Sequence, residues 1–181
     1  MKIKSTSGSV LHQISGALRR ADLQGLRLAD VDFRGANLEG ANLRGTYFEL
    51  GSFDGANLAN ADLEACEFEG AVLSDADFSN AQLDNADFYD IQAFRTCFRA
   101  ASVKRAKFHG ANLQQADFSD ADLEEALFAS DNINHNTSVA GVNFSNARLS
   151  GVKADGATYN RKTKFPEGFD PKYAGFIFEQ D

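Results

Sequence analysis

Five cations, three histidines and two cysteines are the residues of this chain whose chemistry could go beyond packing, and their spacing limits what each can do. Arg95, Arg99, Lys104, Arg105 and Lys107 fall within residues 93–112, a window without Asp or Glu, so it carries +5 in a chain of net charge −8. Such a belt is either a solvated charge cluster or a surface that grips an acidic partner or an anion. Phe94, Tyr47 and Tyr89 are aromatics at outward positions and join the belt as a candidate contact patch. His12, His109 and His135 fall in separate segments, so no shared metal is expected and no cofactor is implied. Cys66 and Cys97, 31 residues apart, are too few for a disulfide scaffold and wrongly spaced for zinc.

Catalysis needs a nucleophile, a base and an orienting group converging in a concave site, and nothing in the spacing gathers them, so the chain is not expected to be an enzyme. The 26 acidic against 18 basic residues repel nucleic acid and anionic membrane surfaces on average. The start, MKIKSTSGSVLHQIS, lacks the apolar run of a signal peptide, and no window is apolar enough for a membrane span, which leads us to expect a soluble, cytoplasmic protein.

What must position these residues is a repeat. From Leu23 to Ile133 an apolar residue recurs every five positions, and of these 23 centres only Ala93 is not Leu, Phe, Val or Ile. Two residues before the centre, 15 of 22 positions are Ala; the others are Leu26, Val31, Thr46, Gly51, Cys66, Ile91 and Thr96. Inward spacings of two and three in turn fit a short extended segment followed by a corner. The corner falls two residues after the centre, where Gly, Asn and Asp recur, as at Gly35, Gly40, Asn60 and Asn80. The Asp and Asn before many centres, such as Asn37, Asp62 and Asp117, are read as turn and backbone-bonding groups.

The choice between Leu and Phe recurs at a lag of twenty: Phe48, Phe68, Phe88, Phe108 and Phe128 form one ladder, and Leu23, Leu43, Leu63 and Leu83 another. Four pentapeptides therefore make one turn, and about seven coils at the strand spacing of ~4.8 Å give a rod about 33 Å long.

Ala36-Asn37-Leu38-Glu39-Gly40 and Ala61-Asp62-Leu63-Glu64-Ala65 match the motif A(D/N)LXX as it stands, and over residues 21–160 the chain resembles the pentapeptide-repeat family. The resemblance implies an all-β solenoid, a right-handed quadrilateral β-helix. Residues 1–20 are predicted to form a capping helix, because Val10, Leu11, Ile14 and Leu18 follow Ser9 at helical spacing. Residues 161–181 resemble the C-terminal closing segment of cyanobacterial-type members, with Tyr173, Phe176, Ile177 and Phe178 folding over the last coil and Pro166 and Pro171 stopping strand addition. Between 131 and 139 the register slips, which reads as one inserted residue after a centre at Ile133. The polar stretch from Ser130 to Ala140 is a bulge or a partner-binding loop.

These features point to a rigid scaffold that binds an as yet unspecified protein, and the cap-like C-terminus favours a monomer over a dimer. The alternative is a DNA mimic: the resemblance extends to quinolone-resistance members that present an acidic rod to type II topoisomerases such as gyrase, and the charge of −8 suits it. The basic window interrupts such a rod midway.

Overall fold

The protein is described by a computed structural model over residues 1–130 and 136–180. Each pentapeptide forms one side of a four-sided solenoid. From Asp22 to Lys107 the residue before each centre makes a parallel bridge to the residue twenty further on, as in Asn37 to Asn57 and Asn57 to Asp77. Backbone pairing is continuous: the Leu38 N–H donates to the Asn57 carbonyl at 2.7 Å, and the Asn57 N–H to that of Ala36 at 2.9 Å. Numbered in chain order, face 1 carries Asp22, Asn42 and Asp62, face 2 Arg27, Tyr47 and Glu67, face 3 Asp32, Ser52 and Val72, and face 4 Asn37, Asn57 and Asp77.

The corners lie where the Gly, Asn and Asp pattern puts them. Asp30, Asn60, Asn80 and Asp90 take φ of 56°, 59°, 58° and 52°, in the left-handed region these short polar side chains tolerate. The Asp and Asn before the centres bond the backbone two residues on: Asp77 Oδ1 accepts from the Ser79 N–H at 2.8 Å, and Asp117 Oδ1 from that of Ser119 at 2.9 Å.

Inside, large and small side chains alternate without a gap. Phe88 and Phe108 stack with centroids 4.9 Å apart, Phe98 and Phe118 at 4.5 Å, and the two ladders meet edge to face, as Phe88 does Phe98 at 6.0 Å. Departures from Ala are compensated locally. Where Phe33, Phe48 and Phe53 crowd together, a Cβ on Gly51 would come within 2.8 Å of the Phe53 ring, so the small position shrinks to glycine. At Ile91 and Ala93 large and small exchange places, and both are fully buried. Thr46, Thr96 and Cys66 donate to the carbonyls of Leu23, Leu73 and Leu43 at 2.9, 2.8 and 2.9 Å, and among the described residues no buried side-chain nitrogen or oxygen lacks a partner.

The expected N-terminal helix is not formed, and there is no helix among the described residues. Strand β1 (Lys2–Lys4) pairs antiparallel with β2 (Val10–Gln13), and Ser5 bridges antiparallel to Val31. The Asp32 N–H donates to the Lys4 carbonyl at 2.9 Å. A helix could cover the first coil but could not pair with its open backbone edge, and a strand does both. Ile3 and Leu18 are buried, and Leu11 and Ile14 pack against the core.

At the other end Phe165 stacks on Phe144 at 5.5 Å, and the buried Phe176 lies 5.9 Å from Phe128. Tyr173 takes no part, being 94% exposed. The two prolines do not stop strand addition: β4 (Ile177–Phe178) lies beyond both and pairs parallel with β3 (Thr158–Tyr159). Both prolines precede β4, so neither needs to supply an N–H to the ladder. The register break is also larger than expected. Asn112 bridges Ser138 and Asp117 bridges Asn143, an offset of 26 in place of 20, so six residues have been added and Val139 takes the rung above Leu113. Ile133, read as a centre, and the middle of the proposed loop lie outside the described residues.

Replacing Phe98, stacked on both sides, by Ala should cost about 3–5 kcal/mol, whereas the exposed Gln92→Ala should stay within about 0.5 kcal/mol. Urea unfolding midpoints of the two variants would separate them.

Candidate protein-interaction surface

The register distributes the five cations around the rod. Lys104 and Arg105 lie at face 1, Lys107 on face 2, Arg95 at the corner after face 3, and Arg99 on face 4. Of the aromatics, Tyr47 and Tyr89 share face 2 with Lys107, and Phe94 stands on face 3. The structure thus brings Tyr89, Phe94, Arg95 and Lys107 to neighbouring faces at similar height and leaves Tyr47 lower down the rod.

Each cation is held by a neighbouring coil. Arg95 makes a bidentate pair with Asp75, both contacts at 2.7 Å, and this guanidinium holds the Asp75 carboxyl below its ordinary range. Lys107 Nζ is 3.2 Å from Asp87, Lys104 Nζ 3.3 Å from Asp122, and Arg99 Nε 3.7 Å from Asp117. Arg105 Nε donates to the neutral Asn85 Oδ1 at 3.0 Å. Elsewhere Arg148 bridges Asp122 and Glu124, and Arg44 bridges Asp62 and Glu64. The acidic surface is therefore interrupted by cross-coil pairs along face 1.

Two further features lay beyond the sequence pattern. Arg95, Ala100 and Arg105 occupy successive corners with φ of 56°, 55° and 55°, where Gly, Asn or Asp stand at most others; Arg20, Leu50, Ala65, Gln115 and Glu125 also depart. A left-handed corner disfavours these side chains, so the basic coil keeps the backbone of the repeat and departs from it in corner residue type as well as in charge. On face 2, Glu67, Glu69, Asp87 and Tyr89 line a shallow depression of about 300 Å³, next to Tyr47, whose ring carries the Arg27 guanidinium at 4.7 Å. Phe94 is half-buried under the Arg95 guanidinium at 4.5 Å. On face 3 the residues before the centres are uncharged above Asp32, running Ser52, Val72, Gln92, Asn112 and Ser138, and the charged side chains Asp32, Arg34 and Asp54 are confined to its lower part.

The cysteines stay apart, Cys66 inside and Cys97 half-buried on face 4. Among the described residues no group of three His, Cys, Asp or Glu is placed to hold a metal ion, and no helix is long and apolar enough to cross a membrane.

A flat-sided β-solenoid built of stacked pentapeptides defines the class of repeat proteins to which this architecture belongs. The chain belongs to the pentapeptide-repeat family: the model described as "Pentapeptide repeat region" matches residues 61–137 and that described as "Pentapeptide repeats (8 copies)" matches 17–49, together more than half of the chain. No curated protein matches it by sequence. Among solved structures it is similar to HetL, a pentapeptide-repeat protein involved in heterocyst differentiation regulation from the cyanobacterium Nostoc sp. strain PCC 7120, at 20% identity over 88% of this chain and 85% of that one, with a TM-score of 0.43. It is also similar to AT2G44920, from the Arabidopsis thaliana thylakoid lumen, at 24% identity over 58% and 66% of the two chains, TM-score 0.44. A third is a trypsin-treated variant of QnrB1, a plasmid-mediated fluoroquinolone resistance protein, at 18% identity over 87% of each chain, TM-score 0.41. Similarities at this level carry no argument about function; the β-helix is the architecture these proteins share.

Burial pushes the Cys66 thiol up to about 12 from an ordinary 9.0. Between those values the unfolded chain gives up the thiol proton and the folded chain keeps it, so this group destabilises the fold as pH rises. Cys66→Ala should therefore lose less stability than the parent between pH 9.0 and 12, read by chemical denaturation. In the folded parent a thiol reagent should label Cys97 and spare Cys66.

Proposed function

We propose that this protein is a non-catalytic, rigid scaffold that binds another protein across face 3 and its borders, with Arg95, Arg99, Lys104, Arg105, Lys107, Phe94, Tyr47 and Tyr89 as the surface that recognises it. The observation that carries the reading is the basic coil: it departs from the repeat at once in charge, in corner residues and in outward aromatics. Its ion pairs are exposed, and exposed pairs contribute little because water screens them, so a partner's carboxylates can exchange with Asp75 or Asp87 at low cost. Phe94 with Arg95 on one border and Tyr89 with Lys107 on the other would frame the uncharged strip, an apolar centre with a charged rim. A partner touching all four faces would have to wrap the rod, so Arg99 and Lys104 would act at the rim. The setting we infer is cytoplasmic, with cyanobacterial-type relatives and no contact with nucleic acid or membrane.

The second reading, a DNA mimic directed at a type II topoisomerase, draws on the net charge of −8. The cross-coil pairs made by Arg44, Lys104 and Arg148 weigh against it, because a duplex presents an unbroken line of negative charge.

Affinity capture from source-cell lysate tests both. The parent chain is compared with one in which Arg95, Arg99, Lys104, Arg105 and Lys107 are all changed to Gln. A protein retained by the parent and lost by the variant is the expected result. Topoisomerase subunits retained equally by both would overturn the scaffold reading in favour of mimicry.

A further inference from the structure

Face 3 is extended by strands from both caps. At its foot β1 runs antiparallel to the first coil and β2 runs antiparallel to β1, so β2 lies parallel to the coils. At its head β4 is parallel to β3. The sheet thus begins and ends in strands of the same direction, each paired on one side only. The outer edge of β4 is well defined: the Ile177 and Glu179 N–H groups donate inward to Ala157 and Tyr159, both at 2.8 Å, so the N–H and carbonyl of Phe178 point away from β3. Both edge strands carry apolar side chains in water, Val10 at 52% exposure, Ile177 at 53% and Phe178 at 42%.

We propose that copies of this chain stack end to end, β2 of one copy pairing in parallel with β4 of the next, so that face 3 continues across the junction. Charge selects this arrangement over the two symmetric ones. Residues 1–21 hold Lys2, Lys4, Arg19 and Arg20 and no carboxylate; Arg19 is paired with Glu39 at 3.0 Å, but β1 keeps Lys2 and Lys4, so two hairpins facing each other repel. Glu179 follows β4 directly; it meets those cations in the head-to-tail junction but another Glu179 in a tail-to-tail one. Because the two joining surfaces differ, the contact is heterologous and does not close with two copies. One solenoid end is a small interface, so the association is weak and the dilute protein is the monomer expected from its sequence. The inference is independent of the partner surface on face 3.

Sedimentation equilibrium from about 10 μM to about 1 mM tests it, a range that reaches weak dissociation constants. The weight-average mass of the parent chain should rise continuously past that of a dimer. Val10→Asp, which blocks the head, and Ile177→Asp, which blocks the tail, should each remain monomeric alone. Mixed in equal amounts they should form a dimer that grows no further, since one keeps a working tail and the other a working head. A parent chain monomeric throughout would overturn the proposal. So would dimerisation of Val10→Asp alone, which marks a tail-to-tail contact, or of Ile177→Asp alone, which marks a head-to-head one. Thermal unfolding checks that both variants are folded. Should either fail that check, Glu179→Lys, at an exposed position, is expected to weaken assembly about tenfold, and unchanged assembly in it would count against the proposal.

Discussion

The structure depends on the hydrogen-bonded stacking of one pentapeptide on the pentapeptide twenty residues away. That pairing fixes the rise between coils, and the rise places each inward side chain directly above its counterpart. Identical residues then become the best neighbours, as the near-parallel rings of Phe88 and Phe108 illustrate, tilted 4° from one another. A narrow lumen cannot hold two large side chains per side, so each large residue is accompanied by a small one. The same constraint shapes every exception: Gly51 yields space to three phenylalanines, Ile91 takes over the volume that Ala93 gives up, and Thr46, Thr96 and Cys66 return a hydrogen bond to the coil below.

Stacking also governs the surface. Outward residues twenty apart are neighbours, so charges of opposite sign at that lag neutralise one another between coils. Asp75 with Arg95 and Asp87 with Lys107 are such pairs, and the offset of 18 that joins Arg99 to Asp117 and Lys104 to Asp122 is its diagonal counterpart. The basic coil is therefore seated between acidic coils and does not stand as an isolated belt. Its remaining distinction lies in Arg95, Ala100 and Arg105 at corners and in the aromatics beside them. The proposed recognition surface lies where the repeat is broken, because the inward residues that obey it are already committed to the rod.

The period, the number of sides and the corner positions were legible because each reflects a local rule repeated many times, so that a single exception such as Ala93 does not obscure it. The caps were less legible because each occurs once. Val10, Leu11, Ile14 and Leu18 fit a helical stripe, and what decides for a strand is the open edge at Val31 and Asp32, a partner distant in sequence. The six-residue insertion was read as one because Ile133 happens to fall in register with the preceding centres, while the true rung, Val139, is identified only by its bridge partners. The cation partners could have been found: applied to Arg95 and Lys107, the lag that separates the phenylalanine ladders leads directly to Asp75 and Asp87.

Amide hydrogen exchange resolved by residue tests most directly the claim that cross-coil stacking underlies the whole structure. Slow exchange should recur with a period of five, at the centre, at the corner and at the two residues that follow it, as the bonds of Leu38, Gly40, Ala41 and Asn42 require. Protection should be even through the interior coils and weaker toward the two ends. Protection confined to one or two coils, or lacking the period of five, would contradict the account.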